Sequence, residues 1–371
     1  MNSNQAAPPT PSVASHWVGL DIGGANLKAA HTSGWSQSIS FPMWQKFRAL
    51  GGTIAELLHD CPPIHGVALT MTGELADCFA TRAQGVAQIL EQVTSIVPAA
   101  MIKVYGVDGS WKTVSQAARD PWGVAASNWH GLARFAMRFA ASSECLLIDV
   151  GSTTTDIVPL SQGHVAIEAN TDSARMQSGS LVYTGIERSN VVGLVRELQL
   201  HGAACPVMNE QFATTRDVYL WLREIPEEPN NCETADNQPA TRNASRYRLA
   251  RLVGEDGSTL ADSDIDQIAH EICVAQTELI SAAIDRVIRS VHRTKKVARK
   301  SSAASKSSRD TLWSFDSVVL SGHGDFLIES ALAKRGWDGN RIVLSQALGP
   351  ELSRCAPAYA IAMLAAEECH A

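Results

Sequence analysis

Short apolar runs alternate with stretches of three- and four-residue apolar spacing over most of the chain. The run WVGLDI (17–22) ends in paired glycines and is followed by a second short run, NLKAAHT, which predicts strand, tight turn, strand. A helical pattern covers roughly 44–59 and stops near Pro62 and Pro63, which cannot continue a helix. A strand over 65–72, a helix over about 79–96, a strand over 101–107 and a helix over about 128–142 complete the first half. Strands separated by helices of this length predict an α/β chain with crossover units and a largely parallel or mixed sheet.

The pattern then restarts. CLLIDVG (145–151) is an apolar strand ending in Asp-Val-Gly, followed by TTTDIVPL and HVAIEA, the order already met at Trp17. This reads as an internal repeat, with a tail over 1–15, a first lobe over 16–142 and a second over 143–371. Residues 224–243, crowded with Pro, Glu, Asn and Asp, read as an exposed insertion. The basic, Ser/Ala-rich stretch 293–309 reads as a solvated loop, extending the second insertion to about 310. Between them, Ile265, Ile268, Ile272, Ile284 and Ile288 lie on one apolar face of a helix over 263–292. Packing on a sheet is its expected role, and a homo-oligomer contact is the alternative.

Length and composition change this picture little. A chain of 371 residues is long for one core, which agrees with two domains. The net charge of -7 weighs against nucleic acid or an anionic membrane as partner. Eight scattered cysteines without a CxxC pair read as reduced thiols rather than disulfides or a zinc site. No run approaches the roughly 18 apolar residues that span a bilayer. The first 15 residues lack the basic and apolar regions of a signal peptide, so a disordered tail and a cytoplasmic location are expected.

Three glycine turns are the candidate chemistry. Asp21-Ile22-Gly23-Gly24-Ala25-Asn26 ends the first strand, where amides without intervening side chains can approach a phosphate and the adjacent carboxylate can hold a metal or order a water. Asp149-Val150-Gly151-Ser152-Thr153-Thr154-Thr155-Asp156 offers hydroxyls and amides to a second phosphate. Leu320-Ser321-Gly322-His323-Gly324-Asp325 leads from a strand into a helix and suits a base, ribose or comparable ring. Neither GxxxxGK[ST] nor GxGxxG is present. Any one such turn is more often structural; the ordered trio is the pattern of the sugar kinase, heat-shock chaperone and actin superfamily.

LDIGGANLKAA, LTMTGELADCF with TRAQGV, AASNWHGLARF, LLIDVGSTTTDIVPL, LVYTGIERS, FATTRDVYLWL and VVLSGHGDFL, in that order, make the chain similar to the hydantoinase A/oxoprolinase branch of that superfamily. Within it, the chain resembles proteins tied to tetrahydromethanopterin-linked one-carbon transfer. The resemblance covers about 17–366 apart from the insertions. It implies two actin-like ATPase (RNase H-like) lobes with a central cleft. It also implies a transferase of methanofuran-type cofactor synthesis that joins an aminomethylfuran diphosphate to the phenol of a tyramine or tyrosine derivative and releases pyrophosphate. The competing readings are an ATP-dependent hydantoinase- or oxoprolinase-like hydrolase and a nucleotide-binding regulatory protein, so ATP stays open as a cofactor.

Under that resemblance Gly23, Gly24, Asn26, Gly151, Ser152, Thr153 and Thr154 form the phosphate cradle. Asp21, Asp149 and Asp156 are the candidates for Mg²⁺. Lys28 is a counter-charge or an ordinary strand lysine, and Arg188 a phosphate or carboxylate clamp or a structural ion pair. Glu74 is the first choice of base for the phenol, against a carboxylate at a helix N-terminus. Asp77 stands beside it, and Arg82 is expected to pair with these acids. Asn128, Trp129 and His130 offer a ring-binding wall, with tryptophan more often core. Gly322, His323 and Gly324 offer a second ring contact, or His323 caps the next helix. The expected partner is a small phosphorylated molecule.

Overall fold

The computed structural model describes residues 16–140, 144–300 and 315–369, with only the backbone described over 293–300. The expected tail over 1–15 and the stretch 301–310 lie outside them.

The first half runs β1 (Trp17–Ile22), β2 (Asn26–His31), β3 (Ser36–Ser40), α1 (Met43–Lys46), α2 (Leu50–His59) and β4 (Gly66–Met71). It continues with α3 (Arg82–Thr94), β5 (Ile102–Tyr105), β6 (Trp111–Lys112), α4 (Val114–Arg119) and α5 (Asn128–Ala136). The second half opens with β7 (Glu144–Val150), β8 (Thr155–Ser161), β9 (His164–Val165), α6 (Asp172–Ser178) and β10 (Leu181–Val182). Next come β11 (Glu197–Leu200), β12 (Ala203–Pro206), α7 (Thr215–Leu222), α8 (Arg242–Arg251) and α9 (Asp262–Lys300). It closes with β13 (Ser317–Gly322), α10 (Asp325–Lys334), β14 (Asn340–Val343), α11 (Leu344–Leu348), α12 (Pro350–Arg354) and α13 (Ala356–Glu368).

Two sheets share one plan. The first has the order β3-β2-β1-β4-β5-β6, with β1 antiparallel to β2 and parallel to β4. The second has the order β10-β8-β7-β13-β14, with β7 antiparallel to β8 and parallel to β13. Each half of this α/β chain therefore opens on a hairpin and then crosses over through helices to a parallel strand.

Alternation along the opening strands decides what each sheet covers. Val18, Leu20 and Ile22 pack in a core with Leu50, Ile54 and Leu57 of α2 and Val86 and Ile89 of α3. Leu146 and Ile148 do the same with Ile268, Ile272 and Ile284 of α9. The opposite faces share a layer made of α5 and α13. Leu147 and Val158 meet Trp129, Leu132, Ala360 and Met363, while Trp17 and Ala68 meet Ile361 and Ala365. A Cβ at Gly19 would lie 1.8 Å from the Ala358 carbonyl oxygen, so only glycine lets α13 sit against β1. Helix α13 is apolar on nearly every side, as a helix buried between two sheets must be. It comes from the end of the chain yet packs on the first sheet.

Three segments differ from the sequence reading. Helix α9 continues through 293–300, where a loop was expected. The HVAIEA run forms only the two-residue strand β9. The helix expected from about 79 starts at Arg82, because Thr81 caps it by accepting from the Gln84 amide. The insertion at 224–243 is largely exposed, but Asp236 anchors it to Arg248 and Arg251. No helix among the described residues is long and apolar enough to cross a membrane.

Candidate functional site

The hairpin turn between β1 and β2 is closed by Gly23, whose amide donates to the Asn26 carbonyl at 3.0 Å. The Gly24 and Ala25 carbonyls accept from Met43 and Phe41, which fixes the turn to the segment leading into α1. Their own amides donate to nothing among the described residues. The turn between β7 and β8 repeats this: Gly151 donates to the Thr154 carbonyl, and the Ser152 carbonyl accepts from the amides of Glu187 and Arg188. The Ser152 and Thr153 amides are likewise unused. Unpaired amides in consecutive positions of a turn form an anion-binding concavity. Gly185 presses on the second turn, since a Cβ there would lie 2.5 Å from both the Gly151 oxygen and the Thr153 nitrogen.

Gly24 and Ala25 from one turn and Thr153 and Thr154 from the other line a single cleft of about 330 Å³ between the sheets. Trp44, Trp129 and Tyr183 supply its aromatic walls, and Glu74, Asp77 and Asp172 supply carboxylates. Two arginines face it. Arg188 stacks on Trp44 with its Cζ 4.8 Å from the ring centroid, and Arg175 stacks on Trp129 at 4.0 Å.

The aspartates differ in environment. Asp21 is buried, and burial pushes its carboxyl up to about 6, with Lys28 and Asn128 opposing and Asp149 and Asp156 adding to the rise. The Asn128 amide reaches its Oδ2 at 3.5 Å, whereas Oδ1 is buried without a partner. Asp149 lies beside Asp156 on β8 and Ser321 on β13. Asp156 is held by Arg175 at 2.6 Å, and burial still drives its carboxyl above the usual range. No three His, Cys, Asp or Glu side chains among the described residues gather as a metal-holding group.

Glu74 follows β4 in a turn rather than at a helix N-terminus, since α3 begins eight residues later. It is 1% exposed, and burial raises its carboxyl to about 7 against the pull of its own backbone amide and Arg82. Its Oε2 is buried and unpartnered. Arg82 Nε lies 3.5 Å from Glu74 Oε1, while its Nη2 donates to Asp172 at 2.6 Å.

Other sequence candidates lie elsewhere. Asn128 and Trp129 line the cleft, but His130 turns away, bonding Tyr105 through Nδ1 at 3.0 Å. Burial first, then Arg134, drives its imidazole down to about 4. Lys28 stands opposite Asp21 in the strand register rather than on the cleft lining. Gly322 and Gly324 pack on Val150, where a Cβ would lie 2.0 Å from its oxygen and 2.4 Å from its Cγ1, respectively. His323 Nε2 bonds Glu187 at 3.0 Å instead of capping α10. Burial would raise Glu187, but His323 and Arg216 outweigh it and hold the carboxyl at about 2. The residues that sequence reading missed are Arg175, Asp172 and Trp44, which lie outside the quoted motifs, and Tyr183, which lies in LVYTGIERS but was not singled out there.

A model of the hydantoinase/oxoprolinase family matches residues 65–368. The chain belongs to that family. It is 30% identical to the synthase of (4-{4-(2-(gamma-L-glutamylamino)ethyl)phenoxymethyl}furan-2-yl)methanamine from Methanocaldococcus jannaschii, over 94% of this chain and 96% of that one. The synthase of the same name from Methanococcus vannielii is 28% identical, over 61% of this chain and 93% of that one. Among solved structures, a putative sugar kinase from Cytophaga hutchinsonii aligns over 95% of this chain and 99% of its own, with 11% identity and a TM-score of 0.42. A polyphosphate/ATP-glucomannokinase from Arthrobacter aligns over the same shares with 12% identity and a TM-score of 0.41.

Proposed function

We propose that the protein is a transferase of methanofuran-type cofactor synthesis, joining an aminomethylfuran diphosphate to the phenol of a tyramine or tyrosine derivative. The observation that carries this reading is one cleft holding two turns of unused amides together with a buried glutamate, one of whose carboxylate oxygens has no hydrogen-bond partner. The name of the M. jannaschii relative supplies the product class, an ether between a phenol and a furylmethyl carbon.

In the proposed reaction the phenol oxygen forms a bond to the furylmethyl carbon as the bond from that carbon to diphosphate breaks. The phenol proton passes to the Glu74 carboxylate, and the bonding electrons leave with pyrophosphate. A phenol of ordinary acidity, near about 10, needs such a base at neutral pH. The amides of Gly24, Ala25, Ser152 and Thr153 meet the leaving oxygens as charge develops on them, with no reorganisation at the moment of reaction. Arg188 adds a guanidinium to that anion. Trp44 and Tyr183 offer exposed aromatic surface to the furan and phenol rings, whereas Trp129 is buried under Arg175; Asp77 and Asp172 stand where an ammonium group would be favoured.

The residues fit Mg²⁺: Asp21 presents a buried oxygen without a partner, and its raised carboxyl would be relieved by a cation. Asp21 and Asp149 would hold the ion, which keeps water and takes phosphate oxygens when few carboxylates are offered. When bound it supplies positive charge to the leaving group.

Thermal unfolding with Mg²⁺ and pyrophosphate, against Mg²⁺ and a non-hydrolysable ATP analogue, tests the reading. Stabilisation by pyrophosphate alone supports it, since only a ligand of the native state raises the midpoint. Stabilisation by the ATP analogue alone contradicts it.

A further inference from the structure

Arg82 joins the two halves of the chain at the proposed base. It extends from α3 of the first half, is 8% exposed, and rests its guanidinium 4.9 Å from the centroid of Trp122. Its Nη2 donates to Asp172 at 2.6 Å, and Asp172 belongs to the first turn of α6 in the second half. Toward Glu74 it offers only Nε, at 3.5 Å from Oε1, and that Nε makes no hydrogen bond. One positive charge is therefore divided between two carboxylates, and the one from the opposite half has the closer contact.

The backbone of Glu74 has little room to adjust this balance. A Cβ at Gly85 of α3 would lie 2.0 Å from the Glu74 carbonyl oxygen, so the turn carrying Glu74 is seated directly on the helix that carries Arg82. What remains free is the guanidinium, which can move toward Glu74 only by loosening Asp172.

We propose that Asp172, Arg82 and Glu74 form a relay across the cleft, in which Arg82 is a positioning residue for Glu74 and Asp172 ties that positioning to the docking of the second half. Calling Glu74 the base rests on the transferase reading; the relay itself rests on the contacts. The charged groups facing Glu74 are Arg82 from α3, Asp172 from α6 and Asp21 from β1, and Asp77, Asp156, Arg175 and Arg188 also line the cleft. Against that background the two partners act with opposite sign. Loss of Arg82 removes the cation nearest Glu74, which favours the protonated carboxyl. Loss of the Asp172 charge removes an anion and releases Arg82 toward Glu74, which favours the carboxylate.

The experiment is a ¹³C carboxyl titration of the full chain labelled at glutamate, without divalent metal, the Glu74 signal being assigned by its absence in Glu74→Gln. Arg82→Gln is expected to move the Glu74 midpoint up by roughly one pH unit or more, and Asp172→Asn to move it down. Arg82→Lys should fall between wild type and Arg82→Gln, because it returns the charge without the fork. Midpoints that stay put, or that shift in the same direction in both variants, overturn the relay. If Arg82→Gln does not fold, Asp172→Asn carries the test, since Asp172 is itself partly exposed and a midpoint that fails to fall contradicts the proposal. The acid limb of kcat/KM should follow the same two directions. A titration that shifts as expected while Glu74→Gln keeps full rate upholds the relay and overturns the base assignment instead.

Discussion

Asp21 and Asp149 occupy the same place in the two sheets. Each is the penultimate residue of an opening strand, and each has a small hydroxyl residue beside it on the parallel strand, Thr70 for Asp21 and Ser321 for Asp149. Their antiparallel neighbours differ: Lys28 stands beside Asp21, and Asp156 stands beside Asp149. The repeat has kept the carboxylate and changed its counter-charge, with Arg175 arriving from α6 to neutralise the added acid. Neither side chain is on the cleft lining itself; each stands in the strand that leads into one of the two glycine turns.

Glu74→Gln should lower kcat/KM by roughly 100- to 10,000-fold, the range for loss of a general base. It should also change the pH dependence of stability. The folded carboxyl is held at about 7 against an ordinary 4.5, so between those values the folded chain keeps a proton that the unfolded chain has released. Stability is then lost as pH rises from about 4.5 through 7. Thermal midpoints of Glu74→Gln at pH 5 and pH 8 should differ less than those of the wild type.

Gly185→Ala and Gly24→Ala make a contrasting pair. The first drives a methyl into the second turn, at 2.5 Å from the Thr153 nitrogen, while the second meets nothing nearer than the Gly73 Cα at 4.0 Å. Calorimetric titration with Mg²⁺ and pyrophosphate should show Gly185→Ala weakened by roughly tenfold or more, the equivalent of a modest overpacking strain. Gly24→Ala should be affected less. Equal affinities would mean that the second turn does not hold phosphate.

Arg175→Met should cost about 3–5 kcal/mol in denaturant unfolding, because it leaves Asp156 buried without its counter-ion. The double variant with Asp156→Asn should regain much of that loss. A double variant no more stable than Arg175→Met would show that the stack on Trp129, rather than the ion pair, is what Arg175 contributes.

Much of this arrangement was legible in the sequence because it is local. A strand ending in Asp-x-Gly followed by a second short run specifies a hairpin turn within ten residues, and both hairpins formed where the patterns placed them. The pairs that finish the cleft are not local. Arg82 meets Asp172 across 90 residues, and Arg188 meets Trp44 across the two sheets. His130 adjoins Trp129, yet one step along a helix turns a side chain by about 100°, enough to send it to Tyr105. Helix α13 gave no periodic face from which to infer its neighbours, because it is buried on nearly all sides.

Arg188→Gln should raise the KM for the diphosphate substrate by about tenfold or more, with Arg188→Lys between it and the wild type, since lysine keeps the charge and loses the planar fork. Steady-state rates at varied diphosphate check this. An unchanged KM would assign Arg188 to the stack on Trp44 alone.

The most direct measurement is incubation of the purified protein and Mg²⁺ with an aminomethylfuran diphosphate and a tyramine derivative, with ether product and pyrophosphate quantified together. Equal amounts of both are expected, formed roughly 100- to 10,000-fold more slowly with Glu74→Gln. Pyrophosphate without ether, or no consumption of the diphosphate, would contradict the account.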